Sequence, residues 1–276
     1  MTTIPRALSR ATNELDAISD TPRLDAELLM AEALNVDRDR LILAPPGGDA
    51  PDRFFAMIER RKAGEPVAYI TGRRAFWNIE LHVGPGVLIP RPDSEVLIAS
   101  ALEHFEGGGG PQRILDLGTG PGTLLLAALD LWPQATGVGV DMSRQAMSYA
   151  AANARRLGLE PRVKLKEGDW AKGIAQKFDL ILCNPPYVAE DAELGPGVRD
   201  YEPDEALFAG KEGLDAYREL APQLPGLLNP GGLAAVEIGL DQAEAVTELL
   251  ARDGLQAKVA TDLGGRPRAV LLTWIA

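Results

Sequence analysis

Cysteine and histidine are almost missing from this chain, and positive charge is in short supply. Among 276 residues there are one cysteine, Cys183, and two histidines, His82 and His104. A lone thiol excludes an intramolecular disulfide framework, and two scattered imidazoles exclude an ordinary zinc cluster, so no metal site is expected. Twenty-eight lysines and arginines stand against forty aspartates and glutamates, a formal net charge of −12. A protein built to grip nucleic acid needs a cationic surface to displace counterions, so direct DNA binding is not expected. No run approaches the roughly 20 apolar residues that span a bilayer. The opening Met1-Thr2-Thr3-Ile4-Pro5-Arg6 leads into mixed polar sequence without the apolar core of a signal peptide. A cytoplasmic protein without membrane contact is the expectation. Apolar residues at 46% and charged residues at 25% suit an ordinary globular chain, long enough for one large α/β domain and a smaller companion.

Residues 1–66 read as a small helical domain. Thr21-Pro22 offers an N-cap followed by proline in the first turn, and Leu24, Leu28, Ala31 and Leu34 then share one helix face. After the break at Ala44-Pro45-Pro46-Gly47-Gly48, Phe54, Met57 and Ile58 begin another apolar stripe, and Gly64-Glu65-Pro66 closes the region. From residue 67 to 92 the pattern turns β-rich. Val67-Ala68-Tyr69-Ile70 and Phe76–Val83, punctuated by Gly72 and Gly84-Pro85-Gly86, predict a β-hairpin linker. Residues 93–276 form the third part, with Gly107–Gly110 and Pro111 as a flexible break before its core. Strands are expected at 113–117, 135–140, 162–166, 178–183, 233–238, 256–260 and 268–275, with helices around 122–131, 143–157, 213–228 and 241–252. Alternation of this kind gives a mostly parallel sheet covered on both faces. The last two strands are joined by too few residues for a helical crossover, so the final one should run antiparallel.

Three strand ends carry a nucleoside-binding signature. Asp116-Leu117-Gly118-Thr119-Gly120-Pro121-Gly122 follows the first core strand and opens a helix. Glycines there let a ligand approach the backbone. Position 123 is threonine, where a dinucleotide fingerprint requires glycine, so a nicotinamide enzyme is the weaker reading. Asp141 ends the next strand about 20 residues on, where an acidic side chain accepts bonds from ribose hydroxyls. Asp169-Trp170 follows the third strand, a carboxylate for an adenine amine beside a ring that can pack on the base. The plain alternative is a tight turn with Trp170 in the core. Together the three elements resemble the class I S-adenosylmethionine-dependent methyltransferase fold, Rossmann-like with seven strands.

The fourth strand runs into Asn184-Pro185-Pro186-Tyr187. A planar amide or arylamine nitrogen is a poor nucleophile because its lone pair is delocalised. The Asn184 side-chain oxygen and the Pro185 carbonyl can hold its two hydrogens and favour the positive charge that develops on methylation. The prolines bring no competing N–H, and Tyr187 offers a flat face to a planar group. Cys183 just before them reads as a small core residue, and both histidines read as structural or surface residues. This tetrad suits nucleobase amines and glutamine amides alike. Between Glu190 and Asp215, however, nine acids face only Arg199 and Lys211. A local balance of −7 is a poor cradle for a phosphate backbone; it suits a basic protein partner, or is simply a solvated acidic loop.

At this point nearly the whole chain resembles the protein-(glutamine-N5) methyltransferases, most closely the PrmC (HemK) branch of release factor glutamine methyltransferases. Carrying the resemblance are Gly64–Ile70, Val87–Pro92, Asp116–Gly120, Asn184–Tyr187, Tyr201–Pro203, Ala206–Gly210, Gly213–Asp215 and Glu237–Gly239. It implies S-adenosyl-L-methionine as cofactor, with S-adenosyl-L-homocysteine as product, held at Gly118, Thr119, Gly120, Pro121, Gly122, Asp141, Asp169, Trp170 and Asn184. It also implies a substrate glutamine held at Asn184, Pro185, Pro186 and Tyr187, with Asn184, Pro185 and Tyr187 catalytic. The implied acceptor is the Gly-Gly-Gln glutamine of class 1 peptide-chain release factors, docked by the helical domain of a monomeric enzyme, with Arg60-Arg61-Lys62 and Arg73-Arg74 as docking candidates or solvated charges. A glutamine methyltransferase of a ribosomal protein, or a nucleobase amino-methyltransferase, is the alternative. Two departures stand out: Asp93-Ser94-Glu95 replaces the family's Glu-Thr-Glu, and Pro121 removes a backbone donor from the glycine loop.

Overall fold

The computed structural model describes residues 2–195, 197–262 and 264–275. Five helices come first: α1 (Ile4–Leu15), α2 (Pro22–Leu34), α3 (Arg38–Leu43), α4 (Asp52–Lys62) and α5 (Val67–Thr71). A two-stranded sheet of β1 (Arg73–Phe76) and β2 (Ile79–His82) precedes α6 (Glu95–His104). Then follow β3 (Arg113–Leu117), α7 (Thr123–Leu131), β4 (Thr136–Asp141), α8 (Arg144–Arg156), β5 (Val163–Glu167) and β6 (Phe178–Cys183). The chain closes with α9 (Val198–Tyr201), α10 (Asp215–Leu220), α11 (Leu224–Leu227), β7 (Leu228–Glu237), α12 (Ala243–Leu250), β8 (Leu255–Thr261) and β9 (Pro267–Trp274). Contacts divide it into two compact units, Met1–Arg73 with Glu193–Glu202, and Arg74–Ala192 with Pro203–Ala276.

The first unit is helical around Ile4, Leu8, Leu15, Leu29, Met30, Phe54, Met57 and Ile58. The stripe starting at Phe54 is buried as expected. The buried face of α2 is turned from the expected one: Ala31 is buried and Leu34 packs on the core as expected, but Leu24 is exposed, and Ala26, Leu29 and Met30 enter the core beside Asp25 and Glu27. Ion pairs explain the rotation. Asp25 meets Arg61 at 2.9 Å, with both side chains about nine-tenths covered, and Glu27 meets Arg38 at 2.7 Å. Thr21 does not cap α2 with its side chain; its hydroxyl turns to Asp25 instead. Val67–Ile70 is helical rather than extended. Pro66 stands at the start, Gly72 stops the turn in the left-handed region at φ 74°, and Ala68, Tyr69 and Ile70 are buried. Those boundary signals and that burial outweigh the β preference of Val67, Tyr69 and Ile70. Tyr201 donates its hydroxyl to the Ala63 carbonyl at 3.2 Å, which ties Glu193–Glu202 to the end of α4.

The second unit is a seven-stranded sheet in the order β5-β4-β3-β6-β7-β9-β8. β9 alone reverses direction, pairing antiparallel with both β7 and β8. Leu115, Leu117, Ile181, Cys183, Ala234, Val236, Val270 and Leu272 form the centre of its core. β6 reads as a near-continuous apolar run because both of its faces are covered. Its one acid, Asp179, accepts the N–H groups of Gln112 and Arg113 at 2.9 Å and the Asn229 amide at 2.7 Å, tying the entry edges of β3, β6 and β7 together. The helix expected over 213–228 is broken into α10 and α11, with Pro225 in the first turn of the second piece. Among the described residues no helix is long and apolar enough to cross a membrane.

Candidate active site

β3 is flanked by β4 on one side and β6 on the other, so successive connections depart in opposite directions from it. The crevice beyond its carboxyl end is the switch point where open α/β sheets take their ligands. The glycine loop enters there. Gly118 and Thr119 both donate to the Val140 carbonyl at 2.9 Å, which folds the loop back over the end of β4. Asp116 beneath it is buried and accepts from the Thr119 hydroxyl at 2.6 Å and the Leu125 N–H at 3.2 Å. Burial pushes its carboxyl up to about 7, against those two bonds, with Asp141 adding to the rise.

Asp141 works on both sides of the same crevice. One oxygen accepts from the Gly120 N–H and the other from the Ser143 N–H, each at 2.8 Å. Burial raises its pKa while backbone donors oppose the rise. Pro121 is buried, and its carbonyl accepts from Asn153 Nδ2 at 2.9 Å. Asn153 itself is fully buried and also exchanges hydrogen bonds with the backbone of His82. The loop is thereby anchored from α8 through a proline that has no N–H of its own.

Trp170 and Asn184 meet at Gly118. A Cβ built on that glycine would sit 3.7 Å from the Trp170 ring and 3.8 Å from the Asn184 carbonyl oxygen. Gly118 has φ +71° and Gly120 φ +55°, a conformation glycine adopts without steric cost, and nothing lies within 4 Å of a Cβ at Gly120. Trp170 donates Nε1 to Glu219 at 3.2 Å, which sets its ring. Asp169 is exposed and paired with Lys172.

The tetrad leaves the end of β6. Asn184 donates Nδ2 to Ser94 Oγ at 3.0 Å, Pro185 is buried, and Pro186 is half-buried. The Tyr187 hydroxyl donates to Glu237 Oε1 at 3.2 Å. Burial first, and the neighbouring Glu237 second, raise the Tyr187 pKa, so the phenol keeps its proton. Gln242 Nε2 donates to the carbonyls of Tyr187 and Gly213, each at 3.1 Å. Beyond the tetrad, Val188 and Ala209 exchange backbone bonds with the stretch opposite. Ser94, Asn153, Glu237 and Gln242 carry no motif of their own; Asp93-Ser94-Glu95 and Glu237-Ile238-Gly239 mark family segments without revealing these contacts.

The charged candidates behave differently. Arg60 pairs with Glu65, Arg61 with Asp25, Lys62 with Glu14 and Glu59, and Arg73 with Glu32. Arg74 donates to the Pro90 carbonyl. Of the nine acids between residues 190 and 215, only Glu202 is buried. Cys183 is buried with its thiol pKa pushed up by burial, and His104 bonds the Gly231 carbonyl at 3.0 Å.

Residues 6–72 match the model of the PrmC N-terminal domain, and residues 111–243 match that of a methyltransferase domain. The release factor glutamine methyltransferase of Rhodospirillum rubrum is 45% identical over 91% of this chain and 79% of its own. The same-named proteins of Caulobacter vibrioides and Moorella thermoacetica are 41% and 40% identical, over 98% of this chain and 96% and 98% of theirs. The chain belongs to the release factor glutamine methyltransferase family. Among solved structures, a Pyrococcus furiosus methyltransferase superposes with a TM-score of 0.54 at 21% identity, over 79% of this chain and 96% of its own. A 16S rRNA N2 G1207 methyltransferase of Thermus thermophilus gives 0.53 at 20%, over 74% and 50%. Both share the fold of this enzyme: a seven-stranded, mostly parallel sheet of the class I methyltransferase type, preceded here by a helical N-terminal region.

Proposed function

We propose that the enzyme transfers a methyl group from S-adenosylmethionine to the side-chain amide nitrogen, N5, of the glutamine in the Gly-Gly-Gln motif of class 1 peptide-chain release factors. The relatives' shared name supports the acceptor. The observation that carries the chemistry is that the Trp170 ring and the Asn184 backbone come together at Gly118, beside the open space over Gly120. That space fits the cofactor: an open glycine shelf for the chain, and a flat indole face for a base. At the same strand ends, the Asp141 carboxylate has lone pairs left for ribose hydroxyls after taking one N–H on each oxygen. Gly118 to Gly122, Asp141, Asp169, Trp170 and Asn184 would hold it. When bound, it supplies an electrophilic methyl group and leaves as S-adenosylhomocysteine.

The chain's own work is to present the acceptor nitrogen. Asn184 Oδ1 and the Pro185 carbonyl accept its two hydrogens, which turns the lone pair toward the methyl and stabilises the cation that forms. Pro185 and Pro186 add no donor that would compete. Tyr187, held by Glu237, gives the amide plane a surface to lie on. Once methylated, the cationic nitrogen is acidic enough to lose its proton without a dedicated base. The helical unit contributes to docking of the release factor, and the enzyme acts as a monomer.

The test is transfer of labelled methyl to a purified release factor, with a ribosomal protein and DNA offered in parallel and the product mapped by peptide mass. Label on the Gly-Gly-Gln peptide is expected. Label on one of the other two acceptors alone would overturn the choice of substrate.

A further inference from the structure

The amide of Gln242 meets the backbone at both ends, and the backbone tells those ends apart. Gly239 gives its N–H to Oε1 at 3.0 Å, and a backbone N–H can only donate. Nε2 gives one hydrogen to the Tyr187 carbonyl and one to the Gly213 carbonyl, each at 3.1 Å, and a carbonyl can only accept. The reverse orientation would set N–H against N–H and oxygen against two carbonyls. Tyr217 supplies the fourth bond, its hydroxyl lying 3.3 Å from Oε1 and 3.0 Å from the Glu237 carbonyl. Two hydrogens and two lone pairs are all engaged, so this half-buried side chain has nothing left to offer a substrate. Its work is on the tetrad.

The tetrad needs such a hold. The ladder pairs that fix β6 on both sides end at Cys183, opposite Leu117 and Val236. Of the next four residues only Asn184 and Tyr187 have an N–H, because the two prolines have none. Proline fixes φ and leaves ψ open, so the path of the chain out of the sheet must be set from outside. One short stretch holds Tyr187 at both ends: Glu237 accepts from its hydroxyl at 3.2 Å, and Gln242 donates to its carbonyl. Gly239 between them makes the room. A Cβ there would stand 2.8 Å from Gln242 Oε1 and 3.4 Å from a ring carbon of Tyr187. Gly213 makes room on the other side, where a Cβ would come closer than 3.0 Å to the Tyr187 carbonyl oxygen. Glu237-Ile238-Gly239 and Gly213-Leu214-Asp215, two segments without a chemical task of their own, thus converge on one side-chain amide. We infer that Gln242 is a positioning residue: by holding the Tyr187 carbonyl it fixes the exit of the tetrad from β6, and with it the aim of Asn184 Oδ1 and the Pro185 carbonyl at the methyl acceptor. This rests on the glutamine reading above.

Gln242→Met keeps the length of the side chain and removes all four bonds. Gln242→Glu keeps the shape and the acceptor for Gly239, but turns an oxygen toward the carbonyls of Tyr187 and Gly213. Both are tested in single-turnover assays with excess enzyme, labelled S-adenosylmethionine and a release factor as methyl acceptor. The transfer rate should fall roughly ten-fold or more in each, as expected for misplaced acceptor groups. Affinity for S-adenosylhomocysteine by calorimetry should change less than about two-fold, since none of the four bonds touches the glycine loop, Asp141 or Trp170. Amide exchange at Gly239 should quicken in Gln242→Met and stay near wild type in Gln242→Glu, so that the loss of rate follows the Tyr187 end of the amide. Val246→Ala empties buried space on the same helix and removes none of the four bonds. It should lower the urea midpoint and leave the rate within about two-fold of wild type. If Gln242→Met does not fold, Gln242→Glu carries the test. A rate within about two-fold of wild type in either Gln242 variant, or a loss in Val246→Ala as large as theirs, would overturn the inference. If the wild type labels no glutamine, the substrate reading falls and takes this inference with it. Wild-type labelling with unaffected Gln242 variants refutes the positioning role alone.

Discussion

Gly213→Ala should destabilise the second unit far more than an ordinary glycine substitution, because a backbone atom of the tetrad stands in the way. Gly213 is buried with φ +69°, and an added Cβ would come closer than 3.0 Å to the Tyr187 carbonyl oxygen and 2.9 Å from Gln242 Nε2. The left-handed backbone alone costs an L-residue about 1–2 kcal/mol. Overpacking against backbone adds about 1–3 kcal/mol, and the Gln242 bonds to Tyr187 and Gly213 are strained at roughly 1 kcal/mol each. A total of about 4–7 kcal/mol follows. Gly107→Ala is the control: φ is +74° there, and nothing lies within 4 Å of the new methyl. It should cost only the backbone term. All four tryptophans, Trp77, Trp132, Trp170 and Trp274, belong to the second unit, so their fluorescence in urea reports that unit alone. With a slope of about 2–3 kcal/mol per molar, the midpoints of the two variants should differ by roughly 1–2.5 M. The methyl acts on Tyr187, so transfer should fall in Gly213→Ala and survive in Gly107→Ala. Equal midpoints would refute the reasoning.

Glu237 should make stability depend on pH. Burial lifts its carboxyl to about 7, above its unfolded value, so the folded state holds the extra proton between about 4.5 and 7 and stability declines as pH rises through that window. The full effect is roughly 3 kcal/mol, and Glu237→Gln should flatten that part of a midpoint-against-pH curve; an unchanged slope would show that the carboxyl is not perturbed. Asn153→Ala strands the Pro121 carbonyl and the His82 backbone groups, so a loss of about 2–4 kcal/mol is expected, with faster amide exchange at His82. Exchange as slow as in the wild type would argue against the anchor. Asp141→Ala removes the acceptor that holds Gly120 and Ser143 and should weaken S-adenosylmethionine binding at least ten-fold by calorimetry, and an unaltered affinity would remove Asp141 from the cofactor site.

The strands of the sheet were legible because burial on both faces leaves short apolar runs with little else in them: β3 and β6 lie at the expected residues, and the antiparallel end follows from a connection too short to cross over. Local signals failed where tertiary partners decide. Asp25 and Glu27 read as the wet side of α2, and only Arg61 and Arg38, distant in sequence, make them inward-facing. Val67–Ile70 has β-type residues between a helix-starting proline and a helix-stopping glycine, and packing decided for the helix. α6 went unread altogether. The chemistry proposed for the tetrad is read from four adjacent letters. Its support is not, since Ser94 and Glu237 lie 90 and 53 positions away from Asn184 and have no periodic or spacing signal.

The membership of Glu193–Glu202 in the helical unit has a practical consequence for anyone shortening this enzyme. The polypeptide passes from one unit to the other three times, after Arg73, Ala192 and Glu202. A protein beginning at Arg74 would delete the region that matches the PrmC N-terminal domain, yet keep a ten-residue excursion whose companions had been thrown away. Tyr201 would lose the Ala63 carbonyl, and the orphaned loop would hang from the segment that follows the tetrad. Insolubility or inactivity of such a fragment would therefore say little about whether the helical unit takes part in catalysis. A fair truncation replaces residues 193–202 with a short polar bridge as well.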